Sequence, residues 1–361
     1  MNISQKVRSQ IRGVKTTNWG EIPENSESRL MFGENPFIWK ECVTEIKREV
    51  DKINTYPSPT KETLIKKIAK YNNVLPTNIV VTNGSDDGIE LITKVFIDLE
   101  DTVIIPTPTF PVYESASKMM GANIINVSLD SNFKLDLKEL IKKVNKSTKI
   151  IWIANPNNPT GNILISKDQI EWLLKKTQDT LVVIDECYFE LSQVTAIDLV
   201  KKYNNLIILR SFSKIFGLAG LRLGYIISNP TIVLYCKALQ QNNQPFSVNR
   251  LALAAGAVIM DNLTKINKAI KEYKDIKNSF EKKIQRIKGV EVLSTFTTFS
   301  LIKLPEQFSA SFIKNELSKK RIYIKDCSIY SGLGSRYIYL GIPKKNSQQK
   351  VIKELAKLIT N

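Results

Sequence analysis

Lys214 is the side chain of this sequence with the most capacity for chemistry. It lies in RSFSKIFGLAGLRLGY, Arg210 to Tyr225, behind Ser211 and Ser213 and eight residues ahead of Arg222 in a glycine-rich turn. A lysine amine becomes a useful nucleophile when its neighbours hold it near a carbonyl carbon and lower its pKa. Two hydroxyls and a guanidinium on the same segment suit the far end of such a carbonyl compound if that end is a phosphate, which arginine grips by charge-assisted hydrogen bonds. An ordinary turn with a solvated lysine is the alternative for this segment taken alone.

Two further segments carry the same chemistry. IIWIANPNNPTGNILI, Ile150 to Ile165, is a buried type of strand opening into NPNNPTG, and LVVIDECYFEL, Leu181 to Leu191, is an apolar strand ending in Asp185, Glu186, Cys187 and Tyr188. Both put polar side chains at the carboxyl end of a strand, where open α/β sheets bind ligands. A carboxylate directly after Val-Val-Ile needs a cationic partner in so apolar a setting. A protonated pyridine nitrogen is such a partner. Aldehyde, phosphate and pyridine together describe pyridoxal 5'-phosphate (PLP), which enzymes hold through a lysine Schiff base and an acidic partner for the ring nitrogen.

NPNNPTG, DECY and SFSKIFGLAGLRLGY, in that order, resemble the fold-type I PLP enzymes, specifically the class I/II aminotransferases and their histidinol-phosphate aminotransferase branch. The resemblance runs from GENP at Gly33 to the closing helix. It implies that Lys214 carries the cofactor and afterwards shuttles the proton, and that Asp185 keeps the pyridine nitrogen protonated. It further implies that Tyr188 and Asn158 bond the ring's phenolic oxygen and that Ser211, Ser213 and Arg222 hold the phosphate. In VVTNGSDDGIELI, residues Gly84, Ser85 and Asp86 open a helix, whose first N–H groups form an anion site; a plain N-cap is the alternative. Phe110, in PTPTFPVYE, stands where the family stacks an aromatic ring on the cofactor, a core phenylalanine being the alternative. Tyr56, in NTYPSPT, matches the tyrosine that reaches the neighbouring subunit's phosphate, which implies a homodimer; otherwise it is a turn aromatic before Pro57.

The substrate end departs from the family pattern. The arginine that grips the α-carboxylate stands in an LRI-x-(I/V)-G setting, and the run here is SRYIYLGIP, Ser335 to Pro343. Tyr337 takes the arginine's place and Arg336 comes one residue early, a step that points a strand side chain to the opposite face unless a bulge intervenes. A second family arginine, within IRD, is Lys325 in YIKDCS; lysine keeps the charge but loses the planar fork. Lys325, Arg336 and Tyr337 are therefore the candidate substrate residues. The same region, IKDCSIYSGLGSRY, resembles threonine-phosphate decarboxylases. The resemblance thus implies an aminotransferase working between an amino-acid donor, glutamate by expectation, and a small phosphorylated amine or ketone; decarboxylation of an O-phospho amino acid is the alternative.

Composition narrows the partners. The formal charge is +17, but the lysines are dispersed along polar helix faces such as Leu263 to Lys288, with no nucleic-acid motif. A general attraction for phosphorylated substrates fits that charge, and nucleic acid is not expected. The chain has no histidine, which removes histidine triads, bases and metal ligands and leaves proton transfer to Lys, Tyr and carboxylates. Cys42, Cys187, Cys236 and Cys327 lack metal or disulfide spacing, so no metal is expected. There is no apolar run of about 18 residues and no signal peptide, which makes the cytoplasm the expected compartment, with no membrane partner expected. A non-catalytic regulator with the same fold would need a helix-turn-helix ahead of GENP, and about 30 residues are few for one.

The elements that must position these residues read as α/β. Strands at NIVVTN, TVIIP, NIINVSL, KIIWIAN, TLVVIDE, NLIILRS and RLGYIIS alternate with helical segments, the pattern of a largely parallel sheet covered on both faces. The expected architecture is PLP-dependent transferase fold type I: a large domain, residues 46–262, with a mostly parallel seven-stranded sheet, and a smaller α/β domain from residues 1–45 together with 263–361.

Overall fold

The computed structural model describes residues 7–11 and 28–360. Residues 1–6 and 12–27, most of the N-terminal arm assigned above to the small domain, lie outside the described residues.

All seven apolar runs form strands: β1 (Ile79–Thr82), β2 (Thr102–Thr107), β3 (Asn123–Ser128), β4 (Thr148–Ala154), β5 (Leu181–Asp185), β6 (Leu206–Ser211) and β7 (Gly224–Ser228). They make one sheet in the order β1-β7-β6-β5-β4-β2-β3, parallel from β3 to β6. Strand β7 runs antiparallel to both β6 and β1. Successive residues of the central strands enter opposite cores, as the period-2 pleat requires. Ile151, Ile153, Val182 and Ile184 join one apolar cluster, while Ile150, Trp152 and Val183 join another on the other face. That double burial explains why these strands read as continuous apolar runs rather than alternating ones.

The helices are α1 (Lys40–Val50), α2 (Glu62–Asn72), α3 (Gly84–Phe96), α4 (Val112–Met119), α5 (Leu137–Lys143), α6 (Lys167–Lys176), the single turn α7 (Phe189–Ser192), α8 (Pro230–Asn243), α9 (Arg250–Asp261), α10 (Leu263–Ile284), α11 (Ala310–Lys319) and α12 (Gln348–Thr360). Several begin at side-chain caps. Ser166 and Gln169 form a capping box at α6, and Asn229, Asn249 and Ser309 each accept from an N–H of the first turn of α8, α9 and α11. Helix α10 stops four residues short of the expected Lys288 and buries Ile266, Ile270, Tyr273, Lys277, Phe280 and Ile284, a stripe at three- and four-residue spacing. Helix α1 begins at Lys40 and runs through residue 46, the division expected between domains. It lies against α9, where the Cys42 thiol donates to the Ala255 carbonyl at 3.7 Å.

A second, antiparallel sheet of four strands contains β8 (Glu291–Leu293), β9 (Phe299–Lys303), β10 (Lys325–Asp326) and β11 (Tyr337–Gly341), ordered β10-β11-β9-β8. The described part of the arm is tied to it. Tyr323 N–H donates to the Ser28 carbonyl, Leu30 N–H to that of Tyr323 and Gly341 N–H to that of Leu30, at 2.9, 2.7 and 2.7 Å. From there residues 31–36 cross to Lys214, whose amine donates to the Phe32 carbonyl at 3.3 Å.

Candidate active site

A cavity of about 410 Å³ opens at the carboxyl ends of β4, β5 and β6, beside the start of β7. The antiparallel course of β7 brings Arg222, just ahead of it, to the same end of the sheet as Asp185 and Ser211. The cavity wall contains Ser85, Asp86, Phe110, Asn158, Asp185, Tyr188, Ser211, Ser213, Lys214, Arg222 and Lys325, so eleven of the sequence-selected side chains converge on one space. Gly84 adjoins it at the head of α3. Tyr56, Arg336 and Tyr337 do not line it.

The end nearest β7 is built to take an anion. Helix α3 begins at Gly84 without a side-chain cap on its first N–H groups, and the Arg222 guanidinium lies beside it, 2.7 Å from Asp86 Oδ2. The approach depends on two glycines. A Cβ at Gly84, whose φ is +84°, would stand 2.6 Å from an Arg222 nitrogen, and one at Gly224 would stand 2.6 Å from the Gly84 carbonyl carbon. Ser211 and Ser213 are buried alongside, and the Ser211 hydroxyl accepts the Ser213 N–H at 3.1 Å.

The middle of the cavity holds a carboxylate without a cation. Asp185 ends β5 and accepts from the Cys187 N–H at 2.9 Å and from the Tyr113 hydroxyl at 2.6 Å. Burial nevertheless raises its pKa above the ordinary aspartate value, those hydrogen bonds pulling the other way. Tyr113 stacks on Trp152 at 5.1 Å and meets Phe110 edge-on at 5.7 Å, so the aromatic wall and the acid form one unit.

Across the cavity, burial depresses the Lys214 pKa, with Cys187, Asp86 and Asp185 opposing the shift. Its ammonium lies 5.5 Å from the centre of the Tyr188 ring. The Tyr188 hydroxyl and Asn158 Oδ1 are both buried without a hydrogen-bond partner; the Tyr339 hydroxyl bears on the ionisation of Tyr188 but is out of bonding geometry. Buried polar atoms left unpaired are costly, and two in one cavity mark where an acceptor and donor group belongs.

These features fit PLP. An anion seat, an uncompensated buried carboxylate, a desolvated amine and two orphaned polar atoms match its phosphate, ring nitrogen, aldehyde and phenolic oxygen in turn.

Of the substrate candidates, Lys325 alone reaches the cavity. Its ammonium donates to the Tyr330 hydroxyl at 3.3 Å and lies 5.3–5.6 Å from the Tyr339 and Phe32 ring centres. Arg336 instead pairs with Glu306 at 3.3 Å beside an open hollow of about 750 Å³, and Tyr337 packs edge-on against Phe133 by the same hollow. Strands β11 and β9 keep an unbroken register from Tyr337 to Gly341, so no bulge returns Arg336 to the inner face. Tyr339, two residues further on, is the β11 side chain that lines the cavity. Arg29, Phe32 and Glu34 also line it without having been singled out from sequence. Period-2 counting along β11 could have found Tyr339. Nothing local marks Arg29.

The fold and this site define a fold-type I PLP enzyme. The chain belongs to the aminotransferase class I and II family, whose pattern it matches over residues 29–335, and its cofactor is PLP. It is 35% identical over 338 residues to the histidinol-phosphate aminotransferase of Thermoanaerobacter pseudethanolicus, covering 92% of each chain. Its structure is similar to that of L-threonine-O-3-phosphate decarboxylase from Porphyromonas gingivalis, with a TM-score of 0.79, 26% identity and coverage of 92% and 99% of the two chains. It is also similar in fold to the histidinol-phosphate aminotransferase of Sinorhizobium meliloti in complex with pyridoxal-5'-phosphate, with a TM-score of 0.87, 19% identity and 98% coverage of both chains. Among the described residues no helix is long and apolar enough to cross a membrane.

Proposed function

We propose that the enzyme moves an amino group between an amino-acid donor, glutamate being the expected one, and a small phosphorylated amine or ketone of the histidinol-phosphate kind. The observation that carries this reading is the shared cavity of Lys214 and Lys325, two amines whose pKa values burial lowers. One amine is free for chemistry and the other, while protonated, offers a positive charge to an acidic substrate.

Bound PLP supplies an aldehyde that condenses with amines and an electron-poor ring that accepts negative charge from the adjoining carbon. In this reading Lys214 would hold the cofactor, and its amine would take the proton from the substrate carbon that bears the amino group. Its depressed pKa supports that task, because a general base works best near the operating pH. Asp185 holds a proton at the ring nitrogen; its own unpaired burial supports the role. Tyr188 and Asn158 donate to the phenolic oxygen. Ser211, Ser213, Arg222 and the first turn of α3, Gly84 to Asp86, bind the phosphate, and Phe110 covers the ring. Lys325 takes the substrate acid group. Residues 46–262 serve as the cofactor domain, with 1–45 and 263–361 as the small domain closing the cleft.

The working form is a cytoplasmic homodimer in which Tyr56 completes the partner's phosphate site. Tyr56 is 78% exposed, stacks on Phe246 at 4.5 Å and lies outside the cavity of its own chain, which suits a residue offered to a second copy.

Decarboxylation of an O-phospho amino acid is the second reading, favoured by the turning away of Arg336 from the cavity and by the likeness to the P. gingivalis enzyme. One experiment separates the two. L-Glutamate added to the PLP-loaded enzyme should bleach the visible absorbance of the lysine-bound cofactor as pyridoxamine phosphate forms. Carbon dioxide released from phosphothreonine or phosphoserine, with no such conversion by any common donor, would overturn transamination.

A further inference from the structure

Arg29 is the cavity cation to which the reaction above gives no task. Its side chain is 28% exposed, and among the described residues it has a single anionic partner, Glu34, with Nε 3.1 Å from Oε2. Even that contact is not aligned as a hydrogen bond, so the Nε–H stays unsatisfied. Arg210 shows how this chain holds a structural arginine: fully buried and forked onto Glu186. Arg29 is held in neither way. Arg210 and Arg250 also leave one guanidinium nitrogen unpaired, but each donates to a carboxylate through another; among the described residues Arg29 has no such aligned bond, which leaves its fork open to an arriving oxyanion.

Its position is nonetheless fixed by backbone. An isolated bridge between Arg29 and Tyr323 sets it beside the approach to β10, where Lys325 comes two residues beyond Tyr323. Both cations face the Phe32 ring, Arg29 at 5.2 Å and Lys325 at 5.6 Å from its centre. Arg222 and the α3 terminus sit at the other end as the anion seat for the cofactor, so neither is needed there. Two cations on the substrate side, against the one carboxylate of Glu34, are more than a substrate with a single acid group calls for.

We infer that Arg29 reads a second acid group on the substrate, a phosphate monoester or a side-chain carboxylate, and that Glu34 is the counter-ion it leaves when that group arrives. Lys325 then takes the acid group nearer the reacting carbon. This deepens the aminotransferase reading and rests on it for the substrate class. The planar fork suits either oxyanion, whereas a loosely paired Glu34 keeps the guanidinium in place between turnovers.

The test uses PLP-loaded wild type, Arg29→Gln, Arg29→Lys and Glu34→Gln. Equilibrium titration with glutarate, with 3-phosphonopropionate and with butyrate reads acid recognition without turnover. Conversion of the visible absorbance by L-glutamate and by L-norvaline reads it in the half-reaction. R29Q should weaken binding of one or both two-charge probes by about 10- to 100-fold, the scale of losing a charged hydrogen-bond partner, with little change for butyrate. The glutamate-to-norvaline ratio of kcat/KM should fall with it. R29K should recover part of the loss, and E34Q should tighten the same probe. Whichever probe responds more identifies the carboxylate or the phosphate. Equal affinities in wild type and R29Q for both probes would overturn the role of Arg29, even with an active aminotransferase. Wild type that binds the probes through Arg29 yet converts no donor would instead overturn the transamination reading. If R29Q does not fold, R29K against E34Q decides: opposite shifts support the inference, and unchanged affinities in both overturn it.

Discussion

Glu186 Oε2 lies 2.6 Å from Arg210 Nη2 and 2.9 Å from its Nε, with both side chains 1% exposed. The pair joins the residue after Asp185 to the residue before Ser211, so it fixes the spacing of those two ends of the cavity. The Phe189 ring lies 3.6 Å from the guanidinium, and Glu186 is further held by Thr195 and the Ala196 N–H. Arg210→Met would leave Glu186 buried without its cation, beside Glu190, whose pKa burial has already pushed up to about 7. The expected loss is ~3–5 kcal/mol of stability, the usual effect of breaking a buried pair from one side. Denaturant titration checks it.

Lys214→Ala should abolish the visible absorbance of the lysine-bound cofactor and lower turnover by roughly three orders of magnitude or more, because covalent and proton-transfer roles vanish together. Absorbance and steady-state rate measure the two. A variant turning over near the wild-type rate would remove Lys214 from the chemistry.

Asp185→Asn should separate cofactor occupancy from activity. PLP should stay bound through its phosphate seat while turnover falls by about 100-fold or more, since a ring nitrogen without its proton is a poor acceptor of charge. Stability offers an independent check. The Asp185 pKa is raised in the folded protein, so the folded chain keeps a proton that the unfolded chain has released. Its contribution therefore falls as pH rises through the folded pKa. With PLP removed, D185N should melt above wild type at pH 7–8; with PLP bound, the order should reverse.

Burial, with the Lys214 charge nearby, lowers the Lys325 pKa to about 8. Its ammonium is charged below that pH and neutral above it. The KM for an acidic substrate should rise above pH 8, approaching about tenfold per unit, while K325R flattens that limb because arginine stays charged. The pH dependence of kcat/KM reads it directly. An identical alkaline limb in K325R would assign the titration to another group.

In the proposed dimer, Tyr56→Asp would set a carboxylate against the partner's phosphate, and Lys214→Ala would disable the site of its own chain. Heterodimers of the two inactive chains should regain about one working site of two, the outcome that two-fold sharing requires. Full activity from a monomer by sedimentation would exclude shared sites.

The parts of this site that are continuous in sequence were legible there, and the parts made by distant pairing were not. Asp185, Lys214 and Arg222 sit at the ends of strongly apolar strands whose burial on both faces leaves a polar residue at the tip no structural purpose. Tyr113 escaped notice because an aromatic on a short helix looks like core, and it does stack on Trp152. Arg336 illustrates the opposite case: the offset from Gly341 gave its face, and the regular β11 register agrees. Arg29 was out of reach, because its place depends on a bridge to Tyr323 near the other end of the chain.

Strand β1 has one partner in its sheet, β7, with Thr82 opposite Gly224. On a ribosome making the chain from its amino end, the first strand of the large sheet therefore waits, with its edge unpaired, until residue 228 has emerged. Strands β2 to β6 can assemble in that interval, since sequential parallel neighbours need no later segment. The anion seat at Gly84 then closes in the same event that shields β1, because Gly224 both starts β7 and abuts that helix terminus. Nascent chains arrested before that point would present an apolar strand with an open edge, the form most prone to pairing with the wrong neighbour.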